Sequence, residues 1–260
     1  MSIAELAPIF EGPDKWPRAY GLLRSLVIYY GQPWRTAGLK ELYRPFISPG
    51  DLAFDIGAHV GNRSRCWANL GAKVVAIEPQ ADLATWLRYQ FKNRDEILVV
   101  ETALAGEPGL ASMHVSPTNP TVTTLSDDWI DNVTKTDGFK DVAWQAPVEV
   151  KVTTLDRLID THGLPVFCKI DVEGYEAEVL KGLSQPIKAL SIEFLPAVIE
   201  VALEAVDLLE SLGRYQYNVS FGEGMAFDRP DWQSADQMRH WLTQQRGGQR
   251  SGDVYARLES

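Results

Sequence analysis

The sequence predicts an α/β fold organised around a mainly parallel sheet. Apolar strand patterns that end in an acid alternate with helical patterns from residue 51 to about residue 104. Repeated strand–helix units of this kind form parallel sheets with right-handed crossovers. The length of 260 residues suits one large domain with additions. We therefore predict an N-terminal helical cap over residues 1–50, followed by one α/β domain over residues 51–260.

Charge and composition argue against a polyanion or a membrane as partner. The chain has 25 basic and 35 acidic side chains and a net charge of −10, whereas binding to phosphates draws on basic side chains. No secretory signal is recognisable, and the apolar stretch 22–30 is too short to span a membrane and contains Arg24. Cys66 and Cys168 are expected to be buried free thiols, as in a reducing compartment. We expect a soluble cytoplasmic protein.

Residues 1–50 are predicted to contain an amphipathic helix. Apolar residues recur there at helical spacing between residues 22 and 30. The segment is also rich in aromatic residues, which are Trp16, Tyr20, Tyr29, Tyr30, Trp34 and Tyr43. These rings either pack the cap onto the domain or line a substrate pocket, and the sequence leaves both interpretations open.

The first core motif is LAFDIGAHVG at residues 52–61. It predicts a buried strand, an acid at Asp55, a turn at Gly57, and a helix that begins after Gly61 and ends at Gly71. Such a turn brings backbone N–H groups and a positive helix end close to a ligand, and glycines remove the Cβ atoms that would keep it away. The spacing lacks the Gly-x-Gly-x-x-Gly that suits a pyrophosphate. A lone carboxylate at the strand end instead suits a cation, such as the ammonium group of S-adenosylmethionine.

The second strand, KVVAIE at residues 73–78, also ends in an acid. An acid at this place in a nucleotide-binding sheet accepts hydrogen bonds from the ribose hydroxyls, which makes Glu78 a candidate cofactor contact. A helix at about 82–92 and a third strand at 97–100 follow. Glu101, Thr102 and Ala103, which close that strand, fall where an adenine ring would lie if the ribose is held by Glu78.

The regular alternation fails between about residues 106 and 147. A strand at 110–115 is followed by a Thr/Pro/Asn-rich stretch and a polar, acidic one. Long segments without periodicity inside a compact domain are usually functional or mobile, so we predict a substrate-side insertion or lid. The later predicted elements are strands at 148–153, 166–171, 187–194, 215–221 and 252–258 and helices at 156–162, 175–183, 197–212 and 233–244.

Acids follow most of the core strands, at the sheet edge where open parallel sheets bind ligands. They are Asp55, Glu78, Glu101, Asp171, Glu173 and Glu193. A cationic cofactor, Lys169 or a metal would neutralise them. Lys169, Asp171 and Glu173 alternate, so in extended backbone they would project to one side. Asp171 is a candidate general base or metal ligand, and the alternative for Asp171 and Glu173 is to cap the helix that begins near Gly174.

Two motifs resemble known families. DIGAHVG with VVAIEP looks like motifs I and II of class I S-adenosylmethionine-dependent methyltransferases, and KIDVEGYEAEVLKGL with SIEF resembles the signature of the FkbM-type methyltransferases. The resemblance covers roughly residues 51–194. It implies a Rossmann-like, seven-stranded, mostly parallel sheet with helices on both faces and an antiparallel last strand. It also implies O-methylation of a hydroxyl on a small molecule or sugar. The family commonly has Asn where this chain has His59.

Motifs and resemblance together give the candidate site. The catalytic candidates are Lys169, Asp171 and Glu173. The candidate contacts to S-adenosylmethionine are Asp55, Gly57, His59, Gly61, Glu78, Thr102, Ala103 and Asp171. No resident metal is expected, because Lys169 already supplies a positive charge and no Asp-Asn pair follows the fifth strand. A magnesium ion on Asp171, Glu173 and Glu193 is the alternative.

Two other functions compete with methyl transfer. One is a binding or scaffold module that keeps the cofactor fold without turnover. Intact Asp55, Gly57, Glu78 and Asp171 argue against it. The other is a nicotinamide-dependent oxidoreductase, which the missing pyrophosphate glycine and the absence of a Tyr-x-x-x-Lys pattern disfavour.

Overall fold

The computed structural model describes residues 6–259 apart from 8, 10, 12, 13, 33, 34, 137, 138 and 141. Its helices are α1 (Lys15–Tyr30), α2 (Arg35–Tyr43), α3 (Asn62–Ala68), α4 (Ala81–Gln90), α5 (Asp127–Val133), α6 (Leu155–His162), α7 (Glu176–Lys181), α8 (Ile199–Leu212) and α9 (Ala235–Gln244). Its strands are β1 (Leu52–Ile56), β2 (Lys73–Ile77), β3 (Ile97–Val100), β4 (Ala103–Leu104), β5 (Gly109–Met113), β6 (Val148–Thr153), β7 (Phe167–Ile170), β8 (Ala189–Phe194), β9 (Tyr215–Phe221) and β10 (Gly252–Leu258).

Seven strands form the central sheet in the order β3-β2-β1-β7-β8-β10-β9. The pairs from β3 to β8 are parallel, and β10 is antiparallel to both of its neighbours. The predicted α/β class, the seven strands and the antiparallel last strand are therefore confirmed. Because β1, β2, β3, β7 and β8 run in one direction, the residues that follow them meet at one edge.

Hydrophobic cores cover both faces of the sheet. On β1, Phe54 and Ile56 belong to the core that α6, α7, α8 and α9 cover, whereas Ala53 belongs to the core under α2 and α3. This alternation is the period of a strand. Cys66 and Cys168 are buried free thiols, as expected. Within the part of the chain that the structure describes, none of the helices has the length and apolar character needed to cross a bilayer.

The segment after β3 is more regular than the sequence suggested. β4, β6 and β5 form a second sheet, in which β6 pairs in parallel with β4 and antiparallel with β5. The acidic stretch contains α5, whose first turn is capped by Ser126 accepting a 3.1 Å hydrogen bond from the Trp129 N–H. Trp129 and Val133 are buried in a small cluster of their own. The sequence pattern missed this helix because two turns place too few apolar residues to show a period.

The aromatic residues of the cap do not share one role, and Tyr43 is one that packs the cap onto the domain. Tyr43 is fully buried and packs edge-on against Trp67 and Phe167, with ring centroids 5.2 and 5.4 Å away. Trp16 lies on the exposed face of α1. Trp34 lies outside the described residues. The helix after Gly61 ends earlier than predicted, at Ala68.

Candidate functional site

A cavity opens at the carboxyl ends of the parallel strands and encloses about 880 Å³, open solvent at its mouth included. Its walls come from the turn after β1, the ends of β2, β3 and β7, and the segment 113–125. Concave sites with apolar walls and a few converging polar groups are typical binding sites for small molecules and cofactors. The sequence-predicted residues in its lining are Asp55, Gly57, His59, Glu78, Thr102, Ala103, Lys169, Asp171 and Glu173. The fold therefore brings together side chains from four strand ends.

Two predicted residues lie elsewhere. Gly61 is outside the cavity lining. It faces the side chains of Leu87 and Phe91 instead, since a Cβ there would lie 2.7 Å from them. Glu101 is exposed, lies outside the lining of this cavity and pairs with Arg88 at 2.7 Å. The expectation that Glu101 joins the acids at the ligand edge is therefore wrong, because the surface arginine of α4 draws its carboxylate outwards.

The glycine turn has a different physical basis from the one predicted. Gly57 has φ +78°, and a Cβ there would lie 1.9 Å from the carbonyl oxygen of Asp171. The turn after β1 thus runs directly against the turn after β7. The glycines at 57 and 61 clear space for neighbouring protein atoms, whereas the sequence suggested that they clear it for a ligand.

Asp55 is buried at the end of β1 and holds the following helix. Its Oδ2 accepts hydrogen bonds from the Ser64 backbone N–H at 2.9 Å and from the Ser64 hydroxyl at 2.5 Å. Burial raises the pKa of this carboxyl, while the bonds from Ser64 and the charge of Lys169 act in the opposite direction. Ser64 thus occupies Oδ2, whereas Oδ1 has no hydrogen-bond partner among the described residues.

Glu78 connects the turn after β1 to the turn after β2 through two hydrogen bonds. Its Oε2 accepts a 2.9 Å bond from the His59 N–H and its Oε1 a 2.9 Å bond from the Gln80 N–H. Burial raises the pKa of Glu78 to about 7, and the two backbone bonds oppose that shift. A carboxylate has about four lone-pair positions, so each oxygen can accept one further bond from the cavity side.

Lys169 lies between two carboxylates. It is 2% exposed, and its Nζ donates to Asp171 Oδ2 at 2.7 Å and to Asp253 Oδ1 at 3.2 Å. Burial acts to lower the pKa of Lys169, but the two carboxylates outweigh it and raise the pKa well above the ordinary value. Burial acts to raise the pKa of Asp171, but Lys169 outweighs it, so that pKa is lowered. Asp171 is therefore held ionised.

Glu173 has a different environment from Asp171. Its φ is +56°, so the backbone is not extended there and the predicted alternation from Lys169 ends before it. The Thr124 hydroxyl donates to its carbonyl oxygen at 2.7 Å. Burial, then the charges of Asp171 and Glu176, raise the pKa of Glu173 well above the ordinary value. The pKa values of Asp171 and Glu173, two acids on one short loop, are thus shifted in opposite directions.

Neither Asp171 nor Glu173 caps the following helix, because α7 has Tyr175 at its N-cap position and no side-chain capping hydrogen bond. Glu176 Oε1 accepts from the backbone N–H groups of Val172 at 3.0 Å and Gly174 at 3.3 Å. Asp171 and Glu173 are thereby left for the cavity.

Glu193 completes a group of three carboxylates. One oxygen each from Asp171, Glu173 and Glu193 lies within 4.8 Å of the other two. Glu193 Oε2 is buried and has no hydrogen-bond partner among the described residues. The charge of Glu173, in addition to burial, raises the pKa of Glu193 well above the ordinary value. This donor set fits a hard divalent cation as well as a shared proton.

Two lining residues, and one residue that contacts the lining residue Lys169, carried no local sequence signal. Asp253 reaches Lys169 from 84 residues away. Arg63 lines the cavity and pairs with Glu223 at 3.0 Å. Tyr29 of the cap also lines it and packs edge-on against His59, with ring centroids 5.3 Å apart. The pattern of a tyrosine at the end of an amphipathic helix suggested a pocket as one of two interpretations, but nothing singled out Tyr29.

His59 is neutral. Burial lowers its pKa to about 4 despite the nearby charge of Asp171. Its Nε2 is buried without a partner among the described residues. Its φ of +52° lies in the left-handed region that a short polar side chain such as Asn tolerates well.

Comparison with known proteins gives one family and one curated relative. A model of the "Methyltransferase FkbM domain" matches residues 55–249. The hexuronic acid methyltransferase AglP of Haloferax volcanii is similar to this chain, with 24% identity over 168 residues. That similarity covers 62% of this chain and 61% of the relative. The chain thus matches less than two thirds of the relative's length.

Solved structures with a similar arrangement include two bacterial proteins. A precorrin-6y C5,15-methyltransferase from Geobacter metallireducens has a TM-score of 0.45 and 13% identity, covering 86% of this chain and 87% of that one. An O-methyltransferase from Bacillus cereus, solved with SAH, has a TM-score of 0.45 and 11% identity, covering 92% and 90%.

Proposed function

The chain belongs to the FkbM methyltransferase family, and on that premise we propose that it is an S-adenosylmethionine-dependent enzyme that methylates a hydroxyl of a small molecule or sugar. Methyl transfer follows from the family. Transfer to a hydroxyl oxygen goes beyond the family assignment and is what we propose. The relative named for hexuronic acid supports a sugar as acceptor. A cytoplasmic location is part of the proposal, in keeping with the free thiols Cys66 and Cys168.

The observation that carries the proposal is the buried Glu78 beside the glycine turn. Its two oxygens each hold one backbone N–H and keep lone pairs for ribose hydroxyls. Thr102 and Ala103 would lie along the adenine, and Oδ1 of Asp55 would face the methionyl part. The cavity lining is rich in acids, which fits a cofactor that carries positive charge. When bound, S-adenosylmethionine supplies a methyl group activated on a sulfonium.

The acids at the end of β7 divide the work on the acceptor. Asp171, held ionised by Lys169, accepts a hydrogen bond from the acceptor hydroxyl and orients its oxygen. Glu173 must be ionised to act as a base, and in that form its raised pKa makes it a stronger base than Asp171, so it takes the hydroxyl proton on a carboxylate oxygen as the acceptor oxygen gains the methyl group. The positive charge of Lys169 offsets the mutual repulsion of the carboxylates around it. Most of the acceleration comes from holding the two reacting groups close and aligned.

This mechanism runs without a resident metal. The alternative is a magnesium ion on Asp171, Glu173 and Glu193, which would acidify the acceptor hydroxyl and remove the need for Glu173 as base.

Calorimetry with S-adenosylmethionine tests the cofactor step. Glu78→Ala should weaken binding by about 1–3 kcal/mol, the scale of lost hydrogen bonds to a charged acceptor. Glu101→Ala, at the next strand end but outside the cavity, is the matched control and should bind like the wild type. Equal affinities for the two variants would remove Glu78 from the site.

Mass spectrometry tests the transfer itself. Incubation with cofactor and simple methyl glycosides should yield a product heavier by one CH₂, together with S-adenosylhomocysteine. Cofactor binding without any methylated product would favour the scaffold alternative, and a bound nicotinamide cofactor would favour the oxidoreductase.

A further inference from the structure

A second cavity lies between the helical cap and the sheet domain. It is formed by α1, α2, α3 and α4 and encloses about 1210 Å³, open solvent included. Tyr29 and Asn62 line this cavity and also the first one. The ion pair between Arg63 and Glu223 bridges them, since Arg63 lines the first cavity and Glu223 the second. The two spaces are therefore neighbours that share a wall of three polar groups and one aromatic ring.

The lining of the second cavity has the side chains that bind sugars. Amides and aromatic rings make up seven of the fifteen described lining residues, namely Gln32, Asn62, Asn69, Gln90, Tyr29, Tyr30 and Trp86. Amide side chains both donate and accept, as sugar hydroxyls do. The Trp86 Nε1–H is buried and has no acceptor among the described residues. Gln90 Nε2 donates to the Tyr30 hydroxyl at 3.0 Å, which leaves the Gln90 carbonyl oxygen as an acceptor.

The charge of this lining is positive although the chain as a whole carries −10. Arg35 and Arg65 both line the cavity, and neither forms a salt bridge within the described residues. The Arg65 guanidinium lies over the Tyr30 ring, 5.5 Å from its centroid. The single acid of the lining, Glu223, is neutralised by Arg63 at 3.0 Å. Arginine pairs with carboxylate and phosphate groups through two parallel hydrogen bonds.

We propose that the second cavity is the acceptor subsite and that it takes a saccharide bearing an anionic group, a carboxylate or a phosphate, between Arg35 and Arg65. This proposal rests on the proposed function, because it assigns the acceptor of the same enzyme. Tyr29 and Asn62 line both cavities, so a sugar held in the second must pass one hydroxyl between these two side chains to reach Asp171 and Glu173 in the first. The acids of the first cavity would repel the anionic group, so it is held on the other side of that wall.

Saturation-transfer NMR without cofactor tests the subsite. The probes are the methyl glycoside of glucuronic acid, glucose 6-phosphate, and neutral methyl glucoside. We expect the anionic probes to bind at least about tenfold more tightly than the neutral one, since charge-assisted hydrogen bonds exceed neutral ones. The stronger of the two anionic probes identifies the source of the charge.

Variants locate the binding. Arg35→Gln with Arg65→Gln should remove the preference for the anionic probes, whereas Arg24→Gln, an exposed arginine of α1 outside the cavity, should keep it. Calorimetric affinity for S-adenosylmethionine should stay unchanged in the double variant, which shows that the fold is intact. Equal binding of all three probes, no binding of any, or a preference that survives the double variant would overturn the subsite. Because the NMR measurement uses no cofactor, a failure of cofactor binding would count only against the proposed function.

Discussion

Removing Lys169 should destabilise the fold strongly. Lys169 is 2% exposed and holds Asp171 at 2.7 Å and Asp253 at 3.2 Å. Replacement by Met keeps most of the side-chain volume but leaves two carboxylates without their cation. Removing one partner of a buried ion pair costs about 3–5 kcal/mol, so Lys169→Met should lower the free energy of unfolding by that amount.

The chain offers a matched control at the surface. Lys181 also lies between two carboxylates, Glu178 and Glu204, but its side chain is 40% exposed. Exposed ion pairs contribute about 0–1 kcal/mol. Lys181→Met should therefore cost at most about 1 kcal/mol.

Urea unfolding followed by fluorescence of the eight tryptophans measures both variants. Adding Asp253→Asn to Lys169→Met should recover at least about 1 kcal/mol, because one of the stranded charges is then neutral. Losses of similar size for Lys169→Met and Lys181→Met, or no recovery in the double variant, would refute the view that Lys169 acts by neutralising buried acids.

Three further predictions concern the turn, the insertion and the metal. Gly57→Ala should cost at least about 2 kcal/mol more than Gly50→Ala in urea unfolding, because both glycines have positive φ but only Gly57 faces a backbone oxygen at 1.9 Å. Equal costs would contradict the close contact with Asp171. Hydrogen exchange over residues 106–146 should slow when cofactor and acceptor are both bound, since residues between 113 and 125 line the cavity; unchanged exchange would make the insertion a rigid structural piece. Activity should survive EDTA treatment, and complete loss with recovery on adding magnesium would recast Asp171 as a metal ligand.

The sequence by itself determined the sheet and the residues that follow its strands. Apolar runs with a period of two, glycines after them and helical spacing between them are local patterns. Four strands, those ending at Val100, Thr153, Phe221 and Leu258, have the predicted bounds. Because parallel strands place their carboxyl ends at one edge, the sequence alone assigns Asp55, Glu78 and Asp171 to one cavity.

Only the tertiary structure decided which partner each of these groups has. Lys169 meets Asp253 because β10 inserts between β8 and β9, and no spacing along the chain encodes that contact. Glu101 follows its strand like the other acids, yet a salt bridge to Arg88 draws it to the surface. Gly57 is required by the approach of a turn more than a hundred residues later. Local patterns show which side chains of a segment can be buried. The partners of those side chains, the balance of their charges and the close contacts of the backbone depend on segments that meet only after folding.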